Sequence, residues 1–167
     1  MEYIYREVEI SDAENMIKFL KKVGDETENL SFSGDSLKLS SESEQKFISR
    51  FKNNKKDIML VAESGGEIIA NASLESNKIT RYSHRAELSI AVLSKYWRRG
   101  IGSRLMELLI EFAKISGTEI IYLEARADNE RALALYRKFG FECIGIYRKF
   151  FKINDKYYES VLMMLEI

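Results

Sequence analysis

The stretch Trp97-Arg98-Arg99-Gly100-Ile101-Gly102-Ser103 decides how this chain is read, because two different periodicities meet across it. Before it, Glu87 to Leu93 alternates: Leu88, Ile90 and Val92 share one face, and Glu87, Ser89 and Ala91 share the other, as in a strand buried on one side. After it, Leu105, Leu108, Leu109, Phe112 and Ala113 recur at helical intervals through Arg104 to Lys114, with Arg104, Glu107, Glu111 and Lys114 opposite. Gly117 stands where such a helix stops. The order is therefore strand, glycine turn, helix. Glycines let the backbone approach a ligand closely, and the helix behind them offers unpaired N–H groups and the positive end of its dipole. With Arg98 and Arg99 in the same turn, the segment suits a phosphate-bearing ligand; a plain strand-to-helix connection is the alternative. The third glycine of a dinucleotide fingerprint and the lysine of a nucleotide-hydrolase phosphate loop are both missing.

A second element lies downstream: Asn129 through Ala132, then Leu135-Tyr136 and Gly140-Phe141. With the glycine turn it makes Glu87 to Phe141 resemble the GNAT superfamily of acyl-CoA-dependent N-acyltransferases. The central loop of that family reads Gln or Arg, two residues, Gly, one residue, then Gly or Ala. Gly100 and Gly102 match, while Trp97 stands where Gln or Arg is usual. The resemblance implies an α+β fold, a mixed and mostly antiparallel sheet with helices on both faces. In that fold the strand before the turn and the next strand splay apart, and the pantetheine arm of the cofactor lies in the opening. The resemblance also implies acetyl-CoA as donor and coenzyme A as product. Its pyrophosphate would lie on Arg98, Arg99, Gly100, Ile101, Gly102 and Ser103, with the Ile90 N–H at the oxyanion and the Val92 main chain along the pantetheine.

Acyl transfer from a thioester to an amine needs an amine without its proton, stabilisation of the tetrahedral oxyanion and a proton for the thiolate. The resemblance puts a tyrosine near the sulfur, which here is Tyr136; on spacing alone, Leu133, Tyr136 and Phe139 form an ordinary apolar helix face. Asn129 either caps that short helix or holds the cofactor arm. Glu87, at the start of the central strand, matches the carboxylate that several GNAT enzymes use to draw a proton from the amine, commonly through water; a solvated strand glutamate is the alternative. His84, the one histidine, has a suitable ordinary pKa but sits in the polar stretch Thr80 to Arg85 and ranks below Glu87. Cys143, in a strand without a basic partner, reads as a buried structural thiol.

The whole chain sets the frame. Its 167 residues, 46% hydrophobic and 31% charged, suit one domain, 1–167, with a real core. A net charge of zero recommends neither nucleic acid nor a membrane as partner. One cysteine excludes an internal disulfide framework, and no Cys and His cluster suggests a metal. The N-terminal stretch from Met1 lacks signal-peptide character and no apolar run is long enough to span a bilayer, so a cytoplasmic protein is expected.

In order, Tyr3 to Val8 reads as a strand, and Ser11 with Glu14 as a capping box for a helix through Met16, Ile17 and Leu20 that Gly24 ends. Asp25 to Ser43 reads as a long loop or broken helix over the core. Ser41 and Glu44 suggest a cap for a helix carrying Phe47, Ile48 and Phe51 to Asn53-Asn54. Strands Ile58 to Ala62 and Glu67 to Leu74 flank Ser64-Gly65-Gly66 as a hairpin. Beyond the central helix come a strand at Ile120 to Glu124, a helix at Glu130 to Phe139, and strands at Glu142 to Lys152 and Tyr157 to Glu166. The acceptor amine, small or peptidic, would meet the 25–43 stretch and the closing hairpin. That hairpin's Tyr147, Phe150, Phe151, Tyr157 and Tyr158 suggest a homodimer. An acyl-CoA sensor without turnover, or an N-terminal protein acetyltransferase, is the alternative function.

Overall fold

The computed structural model describes residues 2–167; Met1, read above with the N-terminal stretch, lies outside them. The elements run β1 (Ile4–Glu7), α1 (Ala13–Glu26), α2 (Ser41–Lys52), β2 (Ile58–Ser64), β3 (Glu67–Ser76), β4 (Arg85–Val92), α3 (Ile101–Ser116), β5 (Ile120–Arg126), α4 (Glu130–Lys138), β6 (Glu142–Ile153) and β7 (Lys156–Glu166). The strands form one seven-stranded sheet in the order β1-β2-β3-β4-β5-β7-β6. All neighbours are antiparallel except β4 and β5.

Alternation assigns the faces. On β1, Tyr5 lies beside Arg104 and Glu107 of α3, while the next residue, Arg6, pairs with Asp12 just before α1 at 2.7 Å. Successive strand side chains point to opposite faces, so α3 covers one face and α1 with α2 the other. Positions 58–62 of β2 and 68–74 of β3 are accordingly buried without a break. Following the register, Ala72 and Ile90 look toward α3, whereas Ser73, Ser89 and Glu87 look toward α1 and α2. Leu135 of α4 reaches Gly102 of α3 and so lies on the α3 face.

Several local expectations need correction. Gly24 does not end α1, which runs on to Glu26. A Cβ there would stand 2.8 Å from the Gly34 backbone N, so this glycine serves close approach of the following turn. Ser11 and Glu14 form no capping box; a 3-10 turn spans Ile10–Asp12, and the Asp12 carboxylate accepts from the Glu9 N–H. The cap of α2 is Ser40, whose hydroxyl accepts from the Ser43 N–H at 3.1 Å, and not Ser41. The hairpin turn is Gly65-Gly66, with φ of +60° and +81°, the left-handed values that glycine adopts without strain. Cys143 is exposed, not buried, because both faces of the edge strand β6 lie open along most of its length. No helix among the described residues is long and apolar enough to cross a membrane.

Candidate active site

The site begins where β4 and β5 part. They pair only at Arg85 with Ile120, Ala86 with Ile121 and Glu87 with Tyr122. Beyond those rungs β5 stays with β7 through Arg126 and β4 stays with β3 through Val92, so a gap opens in the middle of the sheet. A cavity of about 490 Å3 fills it.

The gap bares one edge of β4. Leu93 donates its N–H to the Ile69 carbonyl on β3, and in an antiparallel pair the direction of the backbone groups alternates. The main chain of Leu88, Ile90 and Val92 therefore faces the gap. The Trp97 indole Nε1 occupies the Val92 carbonyl at 2.7 Å, which leaves the N–H groups of Ile90 and Val92 turned to the cavity.

At one mouth stands the glycine turn. Gly100 has φ +80° and serves as N-cap of α3, which starts at Ile101, one turn earlier than periodicity suggested. Arg98, at φ +59°, shares the left-handed conformation. The first bond inside α3 runs from the Arg104 N–H to the Gly100 carbonyl, so the N–H groups of Ile101, Gly102 and Ser103 point out of the helix end. Gly102 has a different reason to be glycine: a Cβ there would lie 3.2 Å from Leu135 Cδ2. Arg98, Gly100, Ile101, Gly102 and Ser103 all line the cavity. Arg99 turns toward Tyr3 and Tyr96, with its guanidinium 5.5 Å from the Tyr96 ring centre.

Arg131, which sequence spacing did not single out, completes this mouth. Its guanidinium stacks 3.2 Å over Trp97, and burial together with the charge of Arg98 pushes its pKa down. Two cations beside each other and a helix N-terminus make a site for an anion. Trp97 thus replaces the usual polar residue with a platform for Arg131 and a clip on Val92. Lys138 adds a bond from Nζ to the Ser103 hydroxyl at 3.1 Å.

Deeper in the cavity lies Tyr136, 7% exposed, with its ring against Phe141 at 5.9 Å. Its hydroxyl has no partner among the described residues, and burial pushes its pKa up to about 12. Asn129 caps α4 by accepting from the Ala132 N–H at 3.3 Å while also lining the cavity, so the two roles weighed for it are compatible.

The other mouth opens on the α1 face. Thr27, Asn29, Leu30 and Ser31 approach from the segment after α1, and Phe150 and Phe151 from β6. A register shift between Tyr147 and Phe151, with Lys149 at φ +54°, kinks β6 where its aromatic side chains reach the cavity. Arg126 ties these parts together. It grips Asp128 with two bonds, at 2.9 and 2.6 Å, reaches the Glu28 carbonyl at 3.1 Å, and stacks on Tyr158 at 4.0 Å. Glu87 lines the same mouth as an exposed side chain; the protein crowded around it first, then the charges of Glu124 and Glu75, raise its pKa above its ordinary value. Glu124, also lining, was not flagged by the sequence, because nothing local shows which strand β5 pairs with. His84 is absent from the lining; its carbonyl holds the start of β5 through Glu119 and Ile120.

The cavity thus joins Glu87 to Tyr136 and the glycine turn, running from one face of the sheet to the other. The sequence pattern of the acetyltransferase (GNAT) family matches residues 26–141. The N-alpha-acetyltransferase RimI of Mycobacterium tuberculosis is 37% identical over 93 residues, 56% of this chain and 57% of that protein. The chain thus spans little more than half the length of that relative. A GNAT-family acetyltransferase of Streptococcus pneumoniae superposes with a TM-score of 0.96 at 32% identity, covering 99% of this chain and 100% of that one. The fold is also that of yncA from Salmonella typhimurium, a putative acetyltransferase solved with its cofactor acetyl-CoA, at a TM-score of 0.87 and 15% identity over 98% of this chain and 93% of that one.

Proposed function

The chain belongs to the GNAT family of acetyltransferases, and on that premise we propose that it transfers the acetyl group of acetyl-CoA to a primary amine by direct attack while both substrates are bound. The observation that carries this reading is the cavity through the sheet, which has an anion-binding mouth on one face and a carboxylate-lined mouth on the other.

In this reading acetyl-CoA enters from the α3 side. Its pyrophosphate takes the N–H groups of the glycine turn, with Arg98 and Arg131 alongside, and its pantetheine arm takes the bare edge of β4. The amine enters from the α1 side. Glu87, its basicity raised by partial desolvation at the mouth and by Glu124, accepts the amine proton through water at a pH where an ordinary carboxylate is a poorer base. The nitrogen lone pair adds to the thioester carbon, and the Ile90 N–H meets the oxygen that becomes negative. As the C–S bond breaks, the sulfur takes a proton on the Tyr136 side. A phenol pushed up to about 12 is a much weaker acid than a thiol near 8.5, so Tyr136 keeps its proton in the resting enzyme. It acts by donating a hydrogen bond to the leaving sulfur, and any proton it releases is replaced from the ammonium formed by the attack.

The name of the RimI relative supports a second reading of the acceptor, a peptide N-terminus. The chemistry at the thioester would be the same. A cytoplasmic location and a homodimer through the β6-β7 hairpin are part of the proposal; Ile146 and Tyr147 of that hairpin are both 62% exposed. Thiol release from acetyl-CoA, measured with a panel of amines and with amine omitted, tests the activity. Amine-dependent release supports it, and binding of acetyl-CoA without release against every amine would replace it with a sensor.

A further inference from the structure

The cavity changes chemistry along its length. Its lining cations, Arg98 and Arg131, stand at the mouth formed by the glycine turn. The opposite mouth carries Glu87 and Glu124, flanked by Thr27, Ser31, Phe150 and Phe151. Register puts both carboxylates on one face: Glu87 pairs with Tyr122, and Glu124 is two residues further along β5. Neither has an ion-pair partner among the described residues, and the neighbouring guanidinium groups lie outside the cavity lining. Arg126 holds Asp128, Arg85 stacks 4.6 Å over Tyr122, and Arg50 holds Glu75 at 2.7 Å. Tyr136, 7% exposed, turns a hydroxyl without a partner among the described residues to the same cavity from its far wall.

Resting on the acetyl-transfer reading above, we propose that the acceptor is a short-chain amine bearing a second positive charge, with Glu87 facing the reacting nitrogen and Glu124 binding the distal cation. A carboxylate near the reacting amine finds no cation in the lining of this mouth and meets two negative charges. Free amino acids are therefore poor acceptors. A dication, by contrast, relieves the mutual repulsion of Glu87 and Glu124, which also shows in the raised pKa of Glu87. The rings of Phe150 and Phe151, 4.8 Å apart, supply apolar surface for the methylenes and aromatic faces for a cation.

The test uses three acceptors of one chain length, 1,4-diaminobutane, butylamine and 4-aminobutanoate, whose far ends are positive, apolar and negative. The expected order of kcat/KM is diamine, then butylamine, then aminobutanoate. An advantage of about two- to fivefold at the first step is what a solvated charge pair gives, and it should shrink as salt is added. Glu124→Gln should bring the diamine-to-butylamine ratio close to one. Equal rates for diamine and butylamine in the parent, a ratio unmoved by Glu124→Gln, preference for aminobutanoate, or an alanine-first tripeptide outrunning the diamine tenfold would each overturn the proposal. Thiol release with any of these amines upholds acetyl transfer whatever their order, so the two claims fail separately. Without turnover, calorimetric binding to the CoA-loaded protein decides: the same order of affinity supports the acceptor class, and no diamine binding refutes it.

Discussion

Tyr136→Phe separates chemistry from packing. The substitution keeps the ring that meets Phe141 at 5.9 Å and removes only a hydroxyl that has no partner among the described residues. That hydroxyl opens on the cavity and holds no bond to lose, so removing it should change stability by less than about 1 kcal/mol. The variant should therefore melt within a few degrees of the parent, since for a chain of this size each kcal/mol is about 2–4 °C. Turnover, by contrast, should fall. Removing one hydrogen-bond donor aimed at charge that develops in the transition state typically costs about 10² to 10³ in rate, or about 2.7–4 kcal/mol. The affinity for acetyl-CoA should stay within about twofold, because the pyrophosphate and pantetheine contacts come from the glycine turn and β4. With the phenol at about 12, Tyr136 itself should add no alkaline limb to the rate profile near neutrality. The assay is kcat by thiol release beside a thermal melt and a calorimetric titration of acetyl-CoA. A kcat within about threefold of the parent, with the melt unchanged, would return Tyr136 to the role of a core side chain.

Glu87→Gln should remove the acidic limb of kcat/KM and slow turnover at neutral pH, whereas Glu124→Gln should shift that limb to lower pH, since it deletes a charge that raises the Glu87 pKa. The sign for stability follows from the same shift: ionising Glu87 is harder in the folded chain, so stability falls as pH rises from its unfolded to its folded pKa, and melting curves of Glu87→Gln should gain on the parent above that window. Gly102→Val drives a branched side chain toward Leu135 Cδ2, 3.2 Å from the Cβ position, and should weaken acetyl-CoA at least about tenfold by calorimetry, beyond what its melting temperature loses. Trp97→Phe keeps a ring under Arg131 but drops the 2.7 Å bond to the Val92 carbonyl, so KM for acetyl-CoA should rise about three- to tenfold with kcat less affected; an unchanged KM would make Trp97 simple packing. Light scattering should give twice 19.4 kDa at working concentration, and a monomer mass would remove the hairpin dimer.

What the sequence disclosed was local. The strand, glycine turn and helix could be read because alternation, positive-φ glycine and helical spacing are all written within a few residues of one another. The family resemblance added the second element, and the structure brings Glu87, Ile90, Val92, Arg98, Gly100 to Ser103, Asn129 and Tyr136 to one cavity. What stayed hidden depends on pairing across the chain. The parallel rungs of β4 and β5 stop after Glu87 and Tyr122, and no local pattern marks that end, so neither the gap nor Glu124 facing it was visible. Arg131 was missed for a similar reason, since its position over Trp97 depends on α4 meeting the glycine turn. Gly24 misled because a helix-stopping residue and a close-approach residue look the same until Gly34 is seen above it. Cys143 misled because an apolar-looking strand at a sheet edge keeps its faces open.

The central claim, that one cavity brings acetyl-CoA and the amine together for direct transfer, is tested most directly by initial rates of thiol release with both substrates varied. Intersecting double-reciprocal lines, with N-acetylated amine formed in step with thiol, are the predicted result. Parallel lines with a stable acetylated protein, or release that ignores the amine, would contradict the account.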